Sequence, residues 1–153
     1  LRQGYMFFSP IKDGLAVERM RITSNGNVGI GTTDTFGYKL AVNGTIGATE
    51  IKVETSSDWP DYVFSNTYTL PTLKEVEKHI KEKGHLPNIP SAKEVKKNGI
   101  LLGEMNAKLL QKIEELTLYI IQQQKEIVNE KKNYSTLEKR LAKLELLIQT
   151  KIE

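Results

Sequence analysis

"IEELTLYIIQQQKEIVNEKKNYSTLEKRLAKLELLIQ", residues 113–149, decides how this chain is built. Ile113, Ile120, Ile127, Tyr134, Leu141 and Ile148 recur every seven residues. Leu116, Gln123, Glu130, Leu137, Leu144 and Lys151 follow three places after each of them. An unbroken 3-4 spacing is the a/d pattern of a coiled coil, in which each apolar side chain inserts between residues of a facing helix. Residues 104–153 contain neither glycine nor proline, so one helix is expected, roughly 70 Å long at about 1.5 Å per residue.

A parallel trimer is expected ahead of a dimer, with Gln123 satisfied by its symmetry mates in an axial layer. Leu110, Leu118, Tyr119 and Ile121 widen the apolar stripe, so the first turns are expected to pack on another element as well. The polar run "NEKKN" at 129–133, with Glu130 at d, offers one alternative: a reversal into an antiparallel helical hairpin.

Upstream, "TLKEVEKHIKEKG" (72–84) aligns Leu73, Val76 and Ile80 on one helical face, with a Thr72–Glu75 capping box and Gly84 as the stop. Ser91 and Glu94 form a second capping box, opening a shorter helix that ends near Asn98-Gly99. Between them "HLPNIPS" (85–91) is expected to be extended, because the residue before each proline is pushed out of helical geometry. Trp59, Tyr62, Phe64, Tyr68, Leu86 and Ile89 are expected to form a compact core with the two helices. His79 has Glu75 one turn before it and His85 stands alone. Two histidines without cysteine or a third ligand at useful spacing indicate packing or surface roles rather than zinc, and no metal or other cofactor is expected.

The first third is different in kind. Eight of the eleven glycines lie in residues 1–53. Apolar pairs two apart, Met20/Ile22, Val28/Ile30, Leu40/Val42 and Ile51/Val53, indicate short strands with one buried face. "NGNVG" (25–29) and "NGTIG" (43–47) repeat at an offset of 18, and Asn25-Gly26 and Asn43-Gly44 are expected to make type I′ turns between paired strands, with Gly29 and Gly47 where backbones turn or approach closely. Such strands carry too few aliphatic side chains to offset their ordering entropy alone. Identical neighbours around a common axis are the expected source of burial; a small monomeric β-sandwich is the alternative. "GNVGIGT" is not a phosphate loop, since it lacks GxGxxG, a following GK(S/T) and a helix start.

Composition excludes several classes. With 22 basic and 19 acidic side chains the net charge is only +3 and the signs are interleaved, which argues against a nucleic-acid groove. The absence of cysteine removes disulfides, thiolate metal sites and cysteine nucleophiles. No apolar run approaches the roughly 20 residues needed to span a bilayer, so membrane insertion is not expected. The start at Leu1 in mid-pattern suggests a piece of something longer.

These residues resemble a family. "ERMRITSNGNVGIGTTDTFGYKLAVNGTIGATEIKV" resembles the stalk repeats of phage tail-fibre and related bacterial surface-fibre proteins. "DWPDYVF", "HLPNIPSAKEV" and "GILLGEMNAKLLQKIEELTLYIIQQQKEI" are similar to the C-terminal region of many tail-fibre-like proteins of bacteria and their phages. The resemblance implies a homotrimeric fibre assembled from its C-terminal end. It also implies a relation in layout to peptidase S74 intramolecular chaperone domains, which release themselves with a Ser-Asp serine and a lysine a few residues later. Ser57-Asp58 matches the pair, but residues 59–67 hold no lysine and Lys74 is the next. Without a base the hydroxyl is a poor nucleophile, and no enzymatic activity is expected.

The expected fold is α+β, an elongated homotrimer: β-stalk at 1–55, α-rich collar at 56–103, parallel coiled coil at 104–153. The expected function is C-terminal trimerisation and fibre tip, structural and receptor-binding or chaperone-like. Trp59, Tyr62 and Tyr68 are the candidate contacts to a glycan or protein receptor. Its partners are its own copies and the rest of a longer fibre or baseplate, and its place is extracellular, on a virion, a phage-like injection particle or a cell surface. The alternatives are an S74-type autoproteolytic chaperone and a trimeric adhesin unrelated to any phage-like particle.

Overall fold

The computed structural model describes residues 4–54 and 59–152. It is α+β, and its contacts separate into two units, Leu1–Lys52 and Val53–Glu153. That division falls three residues before the 55/56 boundary read from composition.

In the first unit, β1 (Met6–Phe8), β4 (Met20–Ile22), β5 (Val28–Ile30) and β6 (Leu40–Val42) form one sheet in the order β1-β4-β5-β6. The pairs β1/β4 and β4/β5 are antiparallel, whereas β5/β6 is parallel, with Val28 opposite Leu40 and Ile30 opposite Val42. A separate ribbon joins β2 (Ile11–Lys12) to β3 (Leu15–Ala16). Three of the four apolar pairs are therefore strands. Ile51/Val53 is not: among the described residues no strand follows Asn43-Gly44.

The turn chemistry also differs from expectation. Asn25-Gly26 does reverse the chain between β4 and β5, but through a longer loop: Gly26 N donates to the Thr23 carbonyl at 2.9 Å and Thr23 N to the Asn27 carbonyl at 2.8 Å. Only Gly26 takes a positive φ there, +74°, so this is a type I turn closed by a left-handed glycine rather than a type I′ turn. The type I′ signature lies at Asp13-Gly14, where both φ angles are positive, +54° and +78°, in the two-residue loop between β2 and β3. Gly29 answers the close-approach reading: a Cβ there would stand 2.5 Å from the Thr32 carbonyl oxygen. Gly29→Ala is expected to destabilise this unit by about 1–3 kcal/mol through overpacking, measured as a lowered denaturation midpoint.

The sheet buries little. Ala41 and Thr35 are buried with Gly29, while Phe7, Ile11, Leu15, Phe36 and Leu40 each expose more than half their surface.

In the second unit, a 3-10 helix at Pro60–Phe64 is followed by α1 (Leu73–Lys83), α2 (Ala92–Asn98) and α3 (Leu102–Ile152). Both capping boxes form, and Gly84 closes α1 in the left-handed conformation. The 85–91 link is not simply extended. Pro87 and Asn88 (φ +65°) make a turn with Ile89 N donating to the Leu86 carbonyl at 3.2 Å, because asparagine tolerates the left-handed φ a type II turn needs after proline.

The expected aromatic core is replaced by a smaller one. Trp59, Tyr62, Phe64 and Leu86 stay well exposed, and the fully buried side chains are Pro60 and Val63. A 3-10 helix repeats every three residues, so these two share its inner face and the aromatics between them point elsewhere. α3 runs unbroken for 51 residues, about 76 Å, which removes the hairpin alternative at 129–133. It starts at Leu102, two residues earlier than expected.

Candidate functional site

The heptad register divides the surface of α3. Ile113, Leu116, Ile120, Ile127, Tyr134, Leu137, Leu141, Leu144 and Ile148 expose between 45% and 66% of their surface, a continuous open seam at a and d. Leu109, one heptad before Leu116, is open as well at 46%. At about 100° per residue, Glu114, Glu115, Gln111 and Leu118 fall on the opposite face. There the relation inverts: Glu114 and Glu115 are buried at 7% and 4% exposure. The first turns of α3 thus spend Glu114 at b, Glu115 at c and Gln111 at f on an intramolecular contact, while the apolar a and d side chains stay about half exposed.

The charged face is held by a polar network. Tyr68 Oη donates to Glu115 Oε1 at 2.6 Å, Gln111 Nε2 donates to the same oxygen at 2.8 Å, and Lys112 Nζ donates to Oε2 at 2.7 Å. Tyr62 Oη donates to Gln111 Oε1 at 3.1 Å, and Tyr119 Oη donates to the Pro71 carbonyl. The Lys112–Glu115 ion pair is nearly dry, its side chains 11% and 5% exposed. Leu110, Leu118 and Tyr119 are partly covered, consistent with the expected packing of the first turns, whereas Ile121 is not.

Burial alone would raise the Glu115 carboxyl, but the bonds from Lys112, Tyr68 and Gln111 outweigh it and hold it below its ordinary range. Burial, then the Glu115 bond, pushes Tyr68 up to about 12. A raised pKa contributes stability that is complete below the ordinary tyrosine value of about 10 and is lost as pH rises through about 12. Glu115 contributes in the opposite direction: its share is present above the ordinary carboxylate range and disappears as pH falls through its lowered value. One tyrosine is therefore expected to ionise near pH 12 in a tyrosinate absorbance titration, and Tyr68→Phe should remove that step.

Glu114 is buried beside the same segment, and its Oε2 has no hydrogen-bond partner. Burial and then the charge of Asp61 raise its pKa. At neutral pH the fold works against its ionisation, so Glu114→Gln is expected to raise the Tm at pH 7 and leave it unchanged at acid pH.

The remaining candidates are placed as follows. Ser57 and Asp58 lie outside the described residues. Trp59 and Tyr62 are 53% and 44% exposed. Tyr68 is partly buried, and the hydroxyls of Tyr62 and Tyr68 are both engaged with α3. Asn25 and Gly26 sit in the β4–β5 loop, Gly29 in β5, and Asn43 bridges to Gly31 through Nδ2 at 3.3 Å. Gly44 and Gly47 follow β6 outside any strand. His79 and His85 meet edge to face at 5.4 Å, and among the described residues no group of three or more His, Asp or Glu converges on a common metal position. Among those residues no helix is long and apolar enough to cross a membrane.

No protein-family model, curated protein or solved structure matches this chain.

Proposed function

We propose that this chain is the C-terminal trimerisation and tip region of a tail-fibre-like protein, with α3 as a parallel three-stranded coiled coil. One observation carries the reading: α3 buries two glutamates on one face while leaving isoleucines and leucines open along the other. A helix alone in water gains nothing from such an arrangement, whereas copies meeting along a and d would remove each Ile or Leu from water at about 1.5–3 kcal/mol apiece. The bonds from Tyr62 and Tyr68 reach α3 at Gln111 and Glu115, f and c positions that lie away from a and d.

The sparse core of the first unit supports the same reading. Its strands leave Phe7, Ile11, Leu15 and Leu40 uncovered, as expected of strands whose burial comes from identical neighbours. The coil supplies the local concentration that lets weak strands pair. The resemblance of the stalk and collar sequences to fibre proteins supports a place outside the cell, on a virion, an injection particle or a cell surface, as part of a longer fibre. Trp59, which is exposed, is the candidate contact to a receptor. Folding coupled to self-association makes Tm depend on protein concentration. A Tm that rises over a hundredfold concentration range supports the reading, and a Tm that stays constant refutes it.

A further inference from the structure

Glu114 and Glu115 are covered almost equally, yet only one of them is satisfied. Glu115 accepts from Tyr68, Gln111 and Lys112. Glu114 keeps 7% of its surface exposed, and its Oε2 meets no hydrogen-bond donor among the described residues. The helical period explains the difference: Glu115 at c turns toward Lys112 and Tyr68, whereas Glu114 at b lies one turn after Gln111 and two turns after Ala107.

The 3-10 helix Pro60–Phe64 packs on this part of α3, with Pro60 and Val63 buried and the Tyr62 hydroxyl bonded to Gln111. Its one acidic residue, Asp61, sets a second negative charge toward Glu114. The other charged groups nearby are already taken: Lys112 and the Tyr68 hydroxyl both serve Glu115. Among the described residues no ion pair reaches Asp61 or Glu114.

A neutral carboxylic acid fits such a place far better than a carboxylate, which would hold a covered oxygen with neither donor nor water and a like charge opposite it. Burial first, and then the Asp61 charge, raises the Glu114 carboxyl above its ordinary value. Folded and unfolded chains alike hold this proton below the ordinary carboxylate range. Above that range the fold must retain the proton or bear the charge, so the contact weakens as pH rises until the raised value is passed.

We infer that Asp61 and Glu114 form a proton-held latch: the 3-10 helix is seated on α3 while Glu114 carries its proton and loosens when both carboxylates are charged. The segment that loosens bears Trp59 and Tyr62, 53% and 44% exposed, so acid pH fixes the orientation of these aromatics on α3 and neutral pH frees it. Both latch residues belong to one chain, and the inference does not rest on the oligomer proposed above.

Amide exchange of the full chain tests this, expressed as protection relative to the intrinsic rate at about pH 4.5 and about pH 7.5. Protection at Val63, Phe64 and Ser65, the amides that close the 3-10 turns, is expected to fall about tenfold over that interval while α1 keeps its own. Glu114→Gln should leave the segment equally protected at both pH values, and Asp61→Asn should reduce the fall. A wild-type segment protected equally at both pH values overturns the latch, as does a fall that survives Glu114→Gln. A fall of the same size throughout the second unit overturns it too, since that marks weakening of the whole fold rather than release of one segment.

Discussion

Replacing Ile113 and Ile120 by aspartate is expected to reduce the protein to single chains of 17.3 kDa and to remove most helical signal from the distal part of α3. Both side chains are more than half exposed in the protomer, so the substitutions cost little within one chain. Their effect arises only where copies meet. There each change forfeits about 1.5–3 kcal/mol of burial per chain and sets carboxylates against one another around a common axis. An isolated helix owes most of its stability to packing of its apolar face, so dissociation and loss of helix should occur together. Mass by light scattering and helicity by circular dichroism, taken on one sample, check this. Hydrogen exchange in β4, β5 and β6 should rise as well, and an unaltered sheet would show that the coil is not its clamp.

The second large effect is expected at Glu115. Glu115→Ala removes the acceptor shared by Tyr68, Gln111 and Lys112 and leaves the Lys112 ammonium nearly dry and unpaired, a loss of about 3–5 kcal/mol. Lys112→Met with Glu115→Leu should recover much of that, because replacing a buried pair by apolar side chains avoids the orphaned charge. Denaturant midpoints at fixed protein concentration measure both, with the m-value checked for constancy. Equal destabilisation by the single and double variants would show that packing, not charge, dominates the site.

The sequence reading and the structure agree where one local rule decides. The long helix α3 is legible because residues 104–153 lack glycine and proline and repeat an apolar residue every three and then four positions, and the capping boxes because Thr72–Glu75 and Ser91–Glu94 satisfy each other within one turn. The network at Glu115 was not legible. Glu114 and Glu115 occupy b and c, where glutamate is ordinary in a solvated coil, and Tyr68, the partner of Glu115 in space, is 47 residues from it in the chain. The one available signal was Leu118 and Tyr119 off the seam, which showed that something packs there without showing what. Val63 does not stand out in the sequence beside larger aromatics, since the period of three that buries it with Pro60 applies only to a 3-10 helix. Asn43-Gly44 carries the same signal without a hairpin, because an Asn-Gly pair makes one only when a second strand follows, and among the described residues none does.

The most direct test of the central claim is the solution mass of residues 1–153 at micromolar concentration. The account predicts three times 17.3 kDa, about 52 kDa, for a closed trimer. A mass of 17.3 kDa would contradict it.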